Sequence, residues 1–170
     1  MPDYDVRPLE PSDFDTLMAL EQELFGDKGE KTLGPFYVRL CCDFFNETSF
    51  LAFADGEPVG YCLSFVRGRE AYCSTLAILP AHQRSRLVFR FVQAFIGAIA
   101  SRVDTVWFTV HETNADARAL HATLGARETG VHDAYFGPGE PRIVSRIDRV
   151  AFEKLRARMR RLGLLPAAVA

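Results

Sequence analysis

The chain has 170 residues, 48% of them hydrophobic and 25% charged, and a formal net charge of −2. That length and mixture suit one folded domain with a buried core, and they exclude a disordered chain, a collagen and a low-complexity tract. A net charge so near zero argues against a wholly basic nucleic-acid binder.

In chain order, Tyr4 to Pro8 predicts a first strand. Ser12 stands as the N-cap of a helix with Asp13 and Asp15 in its first turn. Phe14, Leu17, Met18 and Leu24 form its apolar stripe, to about Phe25. Gly26 to Gly34 reads as a loop. A second helix is expected from Pro35 to Asn46, with Phe36, Leu40, Cys41, Phe44 and Phe45 on one side. Strands Ser49 to Ala54 and Val59 to Val66 flank the hairpin signal Asp55-Gly56-Glu57-Pro58. After a second turn, Arg67-Gly68-Arg69-Glu70, a strand from Ala71 to Leu79 is stopped by Pro80. Leu87 to Ser101 is a helix apolar almost all round, hence deeply buried or partly at a subunit contact. Thr105 to Val110 is a strand, and Asn114 caps a helix that runs to Leu124 and ends on Gly125. Strands follow at Thr129 to Tyr135 and Arg142 to Ile147, then a basic helix from Arg149 to Leu162 and a fraying tail, Leu164 to Ala170. With no repeat and no linker, the chain reads as a single domain, 1–170. The order β-α-α-β-β-β-α-β-α-β-β, closed by a C-terminal basic helix at 149–163, implies an α/β fold with a mixed sheet and helices on both faces.

Charge is unevenly placed. Residues 1–57 hold 13 acidic and 4 basic side chains, and the rest hold 9 acidic and 16 basic. An acidic first half would favour a cationic ligand. Cys41, Cys42, Cys62 and Cys73 lack the spacing of a zinc site, and the acidic start carries no secretory signal, so reduced thiols in a cytoplasmic protein are expected. The longest apolar stretch, Leu87 to Ala100, is too short and too polar for a membrane span.

Two local motifs stand out. Leu76-Ala77-Ile78-Leu79-Pro80-Ala81-His82-Gln83-Arg84-Ser85-Arg86-Leu87-Val88 runs from a strand through a turn into a helix, and Asn114-Ala115-Asp116-Ala117-Arg118-Ala119-Leu120-His121-Ala122-Thr123-Leu124-Gly125-Ala126 spans a capped helix. With the element order, they resemble the GNAT superfamily of acyl-CoA-dependent N-acetyltransferases over about Tyr4 to Ile147. The first is similar to the family's Q/R-x-x-G-x-G/A loop and the second to its N-x-x-A-x-x-L-Y-x-x-L-G-F. Phe136-Gly137-Pro138-Gly139-Glu140 resembles a loop some members carry between their last strands.

The resemblance implies acetyl-CoA or another acyl-CoA as cosubstrate and no metal. Its pyrophosphate would meet the amides of Gln83, Arg84, Ser85, Arg86, Leu87 and Val88 at a helix N-terminus. Arg86 and Val88 occupy the places of a glycine and a small residue, which alters that grip; Arg84 and Arg86 could compensate through charge. The acyl carbonyl would be held by strand backbone at Leu76, Ala77 and Ile78, and Asn114 would lie near the pantetheine arm besides capping its helix. His121 stands where members often carry a tyrosine that protonates the departing thiolate, and histidine is expected to donate near neutral pH.

An amine acceptor needs a base, and Glu112 is preferred over His111 and Glu70. Cys73, and the pair Cys41 and Cys42, read as small hydrophobes rather than acyl carriers. Phe44, Phe45 and Phe50 read as core, with Phe44 or Phe45 able to line an acyl or acceptor slot. His111, His121 and His132 lack ligand spacing for a metal. The basic terminal helix reads as a solvated face. The function expected is an N-acyltransferase moving an acyl group directly to an amine of a small molecule or peptide. The resemblance implies that the acyl-CoA would bind in a cleft between the strands at Ala71 to Leu79 and Thr105 to Val110. A catalytically inactive ligand-sensing or scaffolding protein of the same fold is the alternative, followed by other CoA-thioester chemistry. No membrane or nucleic-acid partner is expected; a homodimer through the Leu87 helix or the late strands is an open expectation.

Overall fold

Asp55 and Gly56 both take left-handed backbone, with φ of 50° and 91°. Two such residues in succession make the hairpin turn whose twist matches its strands, as the Asp-Gly signal predicts. The turn belongs to a computed structural model that describes residues 2–166; Ala167–Ala170 of the expected tail lie outside the described residues.

Twelve elements follow the expected order: β1 (Tyr4–Pro8), α1 (Phe14–Leu24), α2 (Pro35–Asp43), β2 (Phe50–Ala54), β3 (Glu57–Arg67), β4 (Glu70–Ile78), α3 (Leu87–Ile99), β5 (Thr105–Val110), α4 (Ala115–Thr123), β6 (Arg127–His132), β7 (Arg142–Ile147) and α5 (Arg149–Arg161). They form a mixed α/β fold that divides into two compact units. One takes residues through Phe65 together with Thr75–Ile99, and the other takes Val66–Ser74 with residues from Ala100 onward.

In the first unit the strand order is β1-β2-β3-β4, with β1 and β3 antiparallel to β2. Its core gathers Leu17, Leu20 and Leu24 of α1 and Val38, Cys41 and Cys42 of α2 on Leu51, Tyr61, Leu63 and Ala77. α3 packs against β1 and β2, burying Leu87, Phe91, Phe95, Ile96 and Ile99. Phe89, Arg90 and Gly97 are exposed, so the helix is buried along one face rather than almost all round. Glu21 is buried on α1, where its carboxylate accepts from the Tyr61 hydroxyl and from Leu33 N–H at 2.8 Å. Burial and that carboxylate push the Tyr61 pKa up.

Two expectations in this unit are corrected. Ser12 is not a cap: it lies in a 3-10 turn, Pro11–Asp13, ahead of α1. Asp13 organises the entry instead, accepting Glu10 N–H at 2.8 Å and binding Arg7 through both oxygens at 2.7 and 2.8 Å. That arginine holds the Asp13 carboxyl below its usual range. The inner face of α2 is Val38, Cys41 and Cys42, so Phe36, Leu40 and Phe44 face water, and Phe44 is not a core residue. Phe50 is buried, and Phe45 packs edge-on against Phe65 at 4.7 Å.

In the second unit the order is β4-β5-β7-β6, with β4 parallel to β5 and the other pairs antiparallel. Val106, Phe108 and Val110 alternate with half-buried residues along β5, and α4 and α5 pack on that strand. Asn114 caps α4 by accepting Ala117 N–H at 3.1 Å, as expected, and Asp148 caps α5 in the same way at 2.8 Å. Gly125 follows α4 with φ 94°. The last helix is more than a solvated basic face: Arg158 donates to the carbonyl of Thr123, the last residue of α4, at 3.2 Å, and Arg156 to that of Ala100, just after α3. Leu164 N–H bonds Met159 O at 2.9 Å and Leu165 is buried. β6 begins two residues earlier than expected and ends at His132. Among the described residues no helix is long and apolar enough to cross a membrane.

Candidate active site

The end of β4 is irregular. β3 and β4 are joined by the two-residue turn Gly68-Arg69, which in an even ladder would set Val59 opposite Ile78. The Val59 carbonyl instead accepts from Leu79 N–H at 2.9 Å, one residue further on. β4 thus carries one residue more than β3 over this stretch, a β-bulge. Gly60 allows the close approach, since a Cβ there would meet Ala77 O at 2.6 Å. Leu76, Ala77 and Ile78 lie at this bulged end.

Beyond it, Pro80–His82 makes a single 3-10 turn and α3 starts at Leu87. Gln83 Nε2 donates back to Ile78 O at 2.9 Å and closes the turn on the strand. Ser85 Oγ donates to His82 O at 2.7 Å and accepts Leu87 N–H at 3.1 Å. His82 Nδ1 meets the Tyr4 hydroxyl at 3.0 Å, strapping the turn to β1. Arg90 N–H bonds Arg86 O one turn back, at 3.1 Å, so helix geometry leaves the Val88 and Phe89 amides pointing out of the end. These amides and the positive end of a 13-residue helix suit an anion.

Arg86 and Val88, which replace small residues of the resembled motif, are not in left-handed backbone; the turn's one left-handed residue is Arg84, at φ 59°. The replacement therefore adds bulk without backbone strain at those two positions. Arg84 is exposed, and Arg86 donates to Pro2 O at 3.1 Å. An open cavity of about 470 Å³ lies beside Leu79 and His82, but Glu23 and Glu57 line it, the wrong charge for phosphate.

In the second unit the parallel ladder runs from Glu70↔Thr105 to Cys73↔Phe108 and stops short of the ends of both strands. There Tyr72 stacks on Trp107 with centroids 4.2 Å apart, and its hydroxyl bonds Thr109 Oγ1 at 2.9 Å. From the β6–β7 loop the Tyr135 hydroxyl donates to it at 3.5 Å. This cluster of three hydroxyls was not read from the sequence. The strand register Tyr72↔Trp107 creates it, and no local pattern signals that.

His121 lies on α4, stacked on Phe108 with centroids 4.2 Å apart. Its Nδ1 is buried without a hydrogen-bond partner, and burial pushes its pKa down from 6.5 to about 4, against a small opposing pull from Glu128. Burial thus favours the neutral ring, which bears against the expectation that His121 donates a full proton near neutral pH. Asn114 spends its side chain on the α4 cap. Glu112 is exposed on the β5–α4 loop, where its carbonyl accepts Arg118 at 3.0 Å. His111 Nδ1 is taken by Thr113 Oγ1 at 2.8 Å, and Glu70 is engaged by Arg146 at 2.9 Å and Arg67 at 3.8 Å. The Glu112 carboxylate acts on Arg118, whose pKa it helps to raise. Burial pushes Cys41 up to about 12, which keeps it a thiol. Among the described residues no group of three or more His, Cys, Asp and Glu side chains gathers as metal ligands.

Comparison with known proteins adds three kinds of finding. The model of the Acetyltransferase (GNAT) family matches residues 14–126. No curated protein matches the chain. Among solved structures, diaminobutyrate acetyltransferase EctA from Paenibacillus lautus, in complex with L-2,4-diaminobutyric acid and coenzyme A, is 21% identical. It aligns over 85% of this chain and 95% of its own, with a TM-score of 0.67. The ribosomal-protein-S18-alanine N-acetyltransferase from Escherichia coli is 22% identical over 85% of this chain and 92% of its own, with a TM-score of 0.69. Arabidopsis thaliana Naa50, bound to a bisubstrate analogue CoA-Ac-MVNAL, is 15% identical over 84% and 97%, with a TM-score of 0.71. At such identities the structural likenesses speak for the fold alone.

Proposed function

Because the chain belongs to the GNAT acetyltransferase family, we propose that it moves an acyl group, acetyl first of all, from an acyl-CoA directly to a primary amine of a small molecule or peptide. The observation that carries this reading is the bulged end of β4 feeding, through the Gln83-held turn, into the N-terminus of α3. That sequence of strand, turn and helix end offers backbone N–H groups first to a carbonyl and then to a diphosphate.

In this reading the donor's pyrophosphate sits on the Val88 and Phe89 amides, with the Arg84 guanidinium as a further donor, while Ser85 Oγ orders the turn through its bonds to His82 O and Leu87 N–H. Gln83 keeps the turn closed, and Arg86 and Leu87 contribute main chain. A backbone N–H among Leu76, Ala77 and Ile78 supports the carbonyl oxygen as charge builds on it. The amine nitrogen attacks the carbonyl carbon, its N–C bond forms, and the C–S bond breaks with its electron pair leaving on sulfur. The amine's proton passes to Glu112, directly or through water. The Tyr72 hydroxyl, fixed by Trp107, Thr109 and Tyr135, receives the incoming amine. The family resemblance assigns Asn114 to the pantetheine arm. Neutral His121 offers the thiolate a hydrogen bond from Nε2, which suffices because a thiol with pKa near 8.5 leaves readily as an anion.

The experiment is a transfer assay with acetyl-CoA and a panel of diamines and short peptides bearing free α-amines, read by thiol release and product mass. Acetylated amine with stoichiometric thiol supports the reading. Saturable acetyl-CoA binding without acyl transfer to any amine would favour the ligand-sensing alternative.

A further inference from the structure

One apolar surface belongs to no part of the proposed site. On the side of α2 opposite its core residues, Phe36, Leu40 and Phe44 are 88%, 46% and 74% exposed. Spaced by four, they form a single stripe. A contiguous stripe of two phenyl rings and a leucine marks a contact surface rather than scattered exposure. We propose that a second copy of this chain covers it, α2 against α2, antiparallel about a two-fold axis through Leu40.

The stripe is self-complementary in that arrangement. With Leu40 on the axis, Phe36 of each copy lies level with Phe44 of the other. Arg39 and Asp43 share one flank of the stripe, and within a copy they make only a 3.4 Å ion pair. Reversal of direction leaves Arg39 of each copy two residues, about 3 Å along the axis, from the level of Asp43 of the other, within the arginine's reach, so the charges also match crosswise. The other flank holds half-buried Tyr37, one residue from the level of the second copy's Phe44. Such self-matching is what a two-fold interface requires. Arg39 is already ordered, its guanidinium 4.2 Å over the Phe14 ring and donating to Pro11 O at 3.0 Å, so pairing costs little further side-chain entropy. The helix that suggested a subunit contact in the sequence, α3, buries Leu87, Phe91, Phe95, Ile96 and Ile99 in its own unit and leaves Phe89 49% exposed.

Two aromatic rings and a leucine per copy, with their flanks, bury on the order of 1,000 Å² in total, the lower limit for a specific contact. The dimer therefore falls at the weak, transient end of specific contacts. Nothing in this inference depends on the catalytic reading.

Sedimentation velocity of the full chain from about 1 to about 200 µM should show monomer–dimer exchange. Leu40→Asp should weaken association at least about thirtyfold while leaving the circular dichroism spectrum unchanged. Leu40→Cys places two thiols across the axis and should give a covalent dimer on mild oxidation, whereas exposed Glu23→Cys on α1 should not. A chain that stays monomeric at the highest concentration, a dimer indifferent to Leu40→Asp, or cross-linking no better at residue 40 than at residue 23 would overturn the proposal.

Discussion

The imidazole of His121 lies nearly parallel to the ring of Phe108, with 18° between planes and 4.2 Å between centroids. The stack joins α4 to β5 and removes the imidazole from water, so the same contact that places the ring also keeps it uncharged. A histidine held neutral can stabilise a departing thiolate only as a hydrogen-bond donor.

A pH dependence of stability follows. The folded pKa of about 4 lies below the unfolded value near 6.5. Between these values the unfolded chain binds the extra proton, so stability is full above about pH 6.5 and falls as pH drops toward 4. The loss is roughly 2–3 kcal/mol over that window. Melts at about pH 7.5 and pH 5 should show wild type losing more than His121→Phe, which keeps a ring against Phe108. Equal losses would contradict the assignment.

Arg84→Gly separates backbone strain from ligand binding. Left-handed backbone costs a non-glycine residue about 1–2 kcal/mol, of which glycine's looser unfolded state returns about half. The variant should melt higher by the equivalent of roughly 0.5–1 kcal/mol. It should also bind acetyl-CoA about tenfold more weakly, because a charge-assisted donor is gone. Stability and affinity moving in opposite directions is the signature; unchanged affinity would remove Arg84 from the phosphate site.

Tyr72→Phe keeps the stack on Trp107 and deletes the hydroxyl that Thr109 and Tyr135 share. We expect kcat to fall about tenfold or more with the acetyl-CoA Kd within about twofold of wild type. Steady-state kinetics with calorimetric binding decides it, and an unaltered kcat would take the hydroxyl cluster out of the reaction.

Gly60→Val tests the bulge. Its side chain would drive into the Ala77 carbonyl, where even a Cβ finds only 2.6 Å. Denaturant unfolding should show a loss of about 1–3 kcal/mol and weakened acetyl-CoA binding. Gly34→Ala, whose Cβ meets nothing within 4 Å, is the control that should change little.

The order of strands and helices was legible because period-two and period-3.6 patterns alternate cleanly and because Asp55-Gly56, Asn114 and Gly125 punctuate them. α2 was legible as a helix but not in its facing. Phe36, Val38, Leu40, Cys41, Cys42, Phe44 and Phe45 leave no clear polar side, and the small thiols rather than the large rings fit against α1. β6 was displaced because an edge strand exposed at every residue has no burial to impose alternation. The donor-binding turn could be read from its motif, whereas the hydroxyl cluster depends on cross-strand register and the neutrality of His121 depends on burial. Neither is a local property of sequence.

The proposed transfer requires a diphosphate held at the N-terminus of α3. Isothermal titration calorimetry of the wild-type chain with acetyl-CoA, set beside S-acetylpantetheine, which has the same thioester and no phosphate, tests it most directly. Saturable binding of acetyl-CoA at least about tenfold tighter than of the phosphate-free analogue is the predicted result. No binding of acetyl-CoA, or equal affinity for the two, would contradict it.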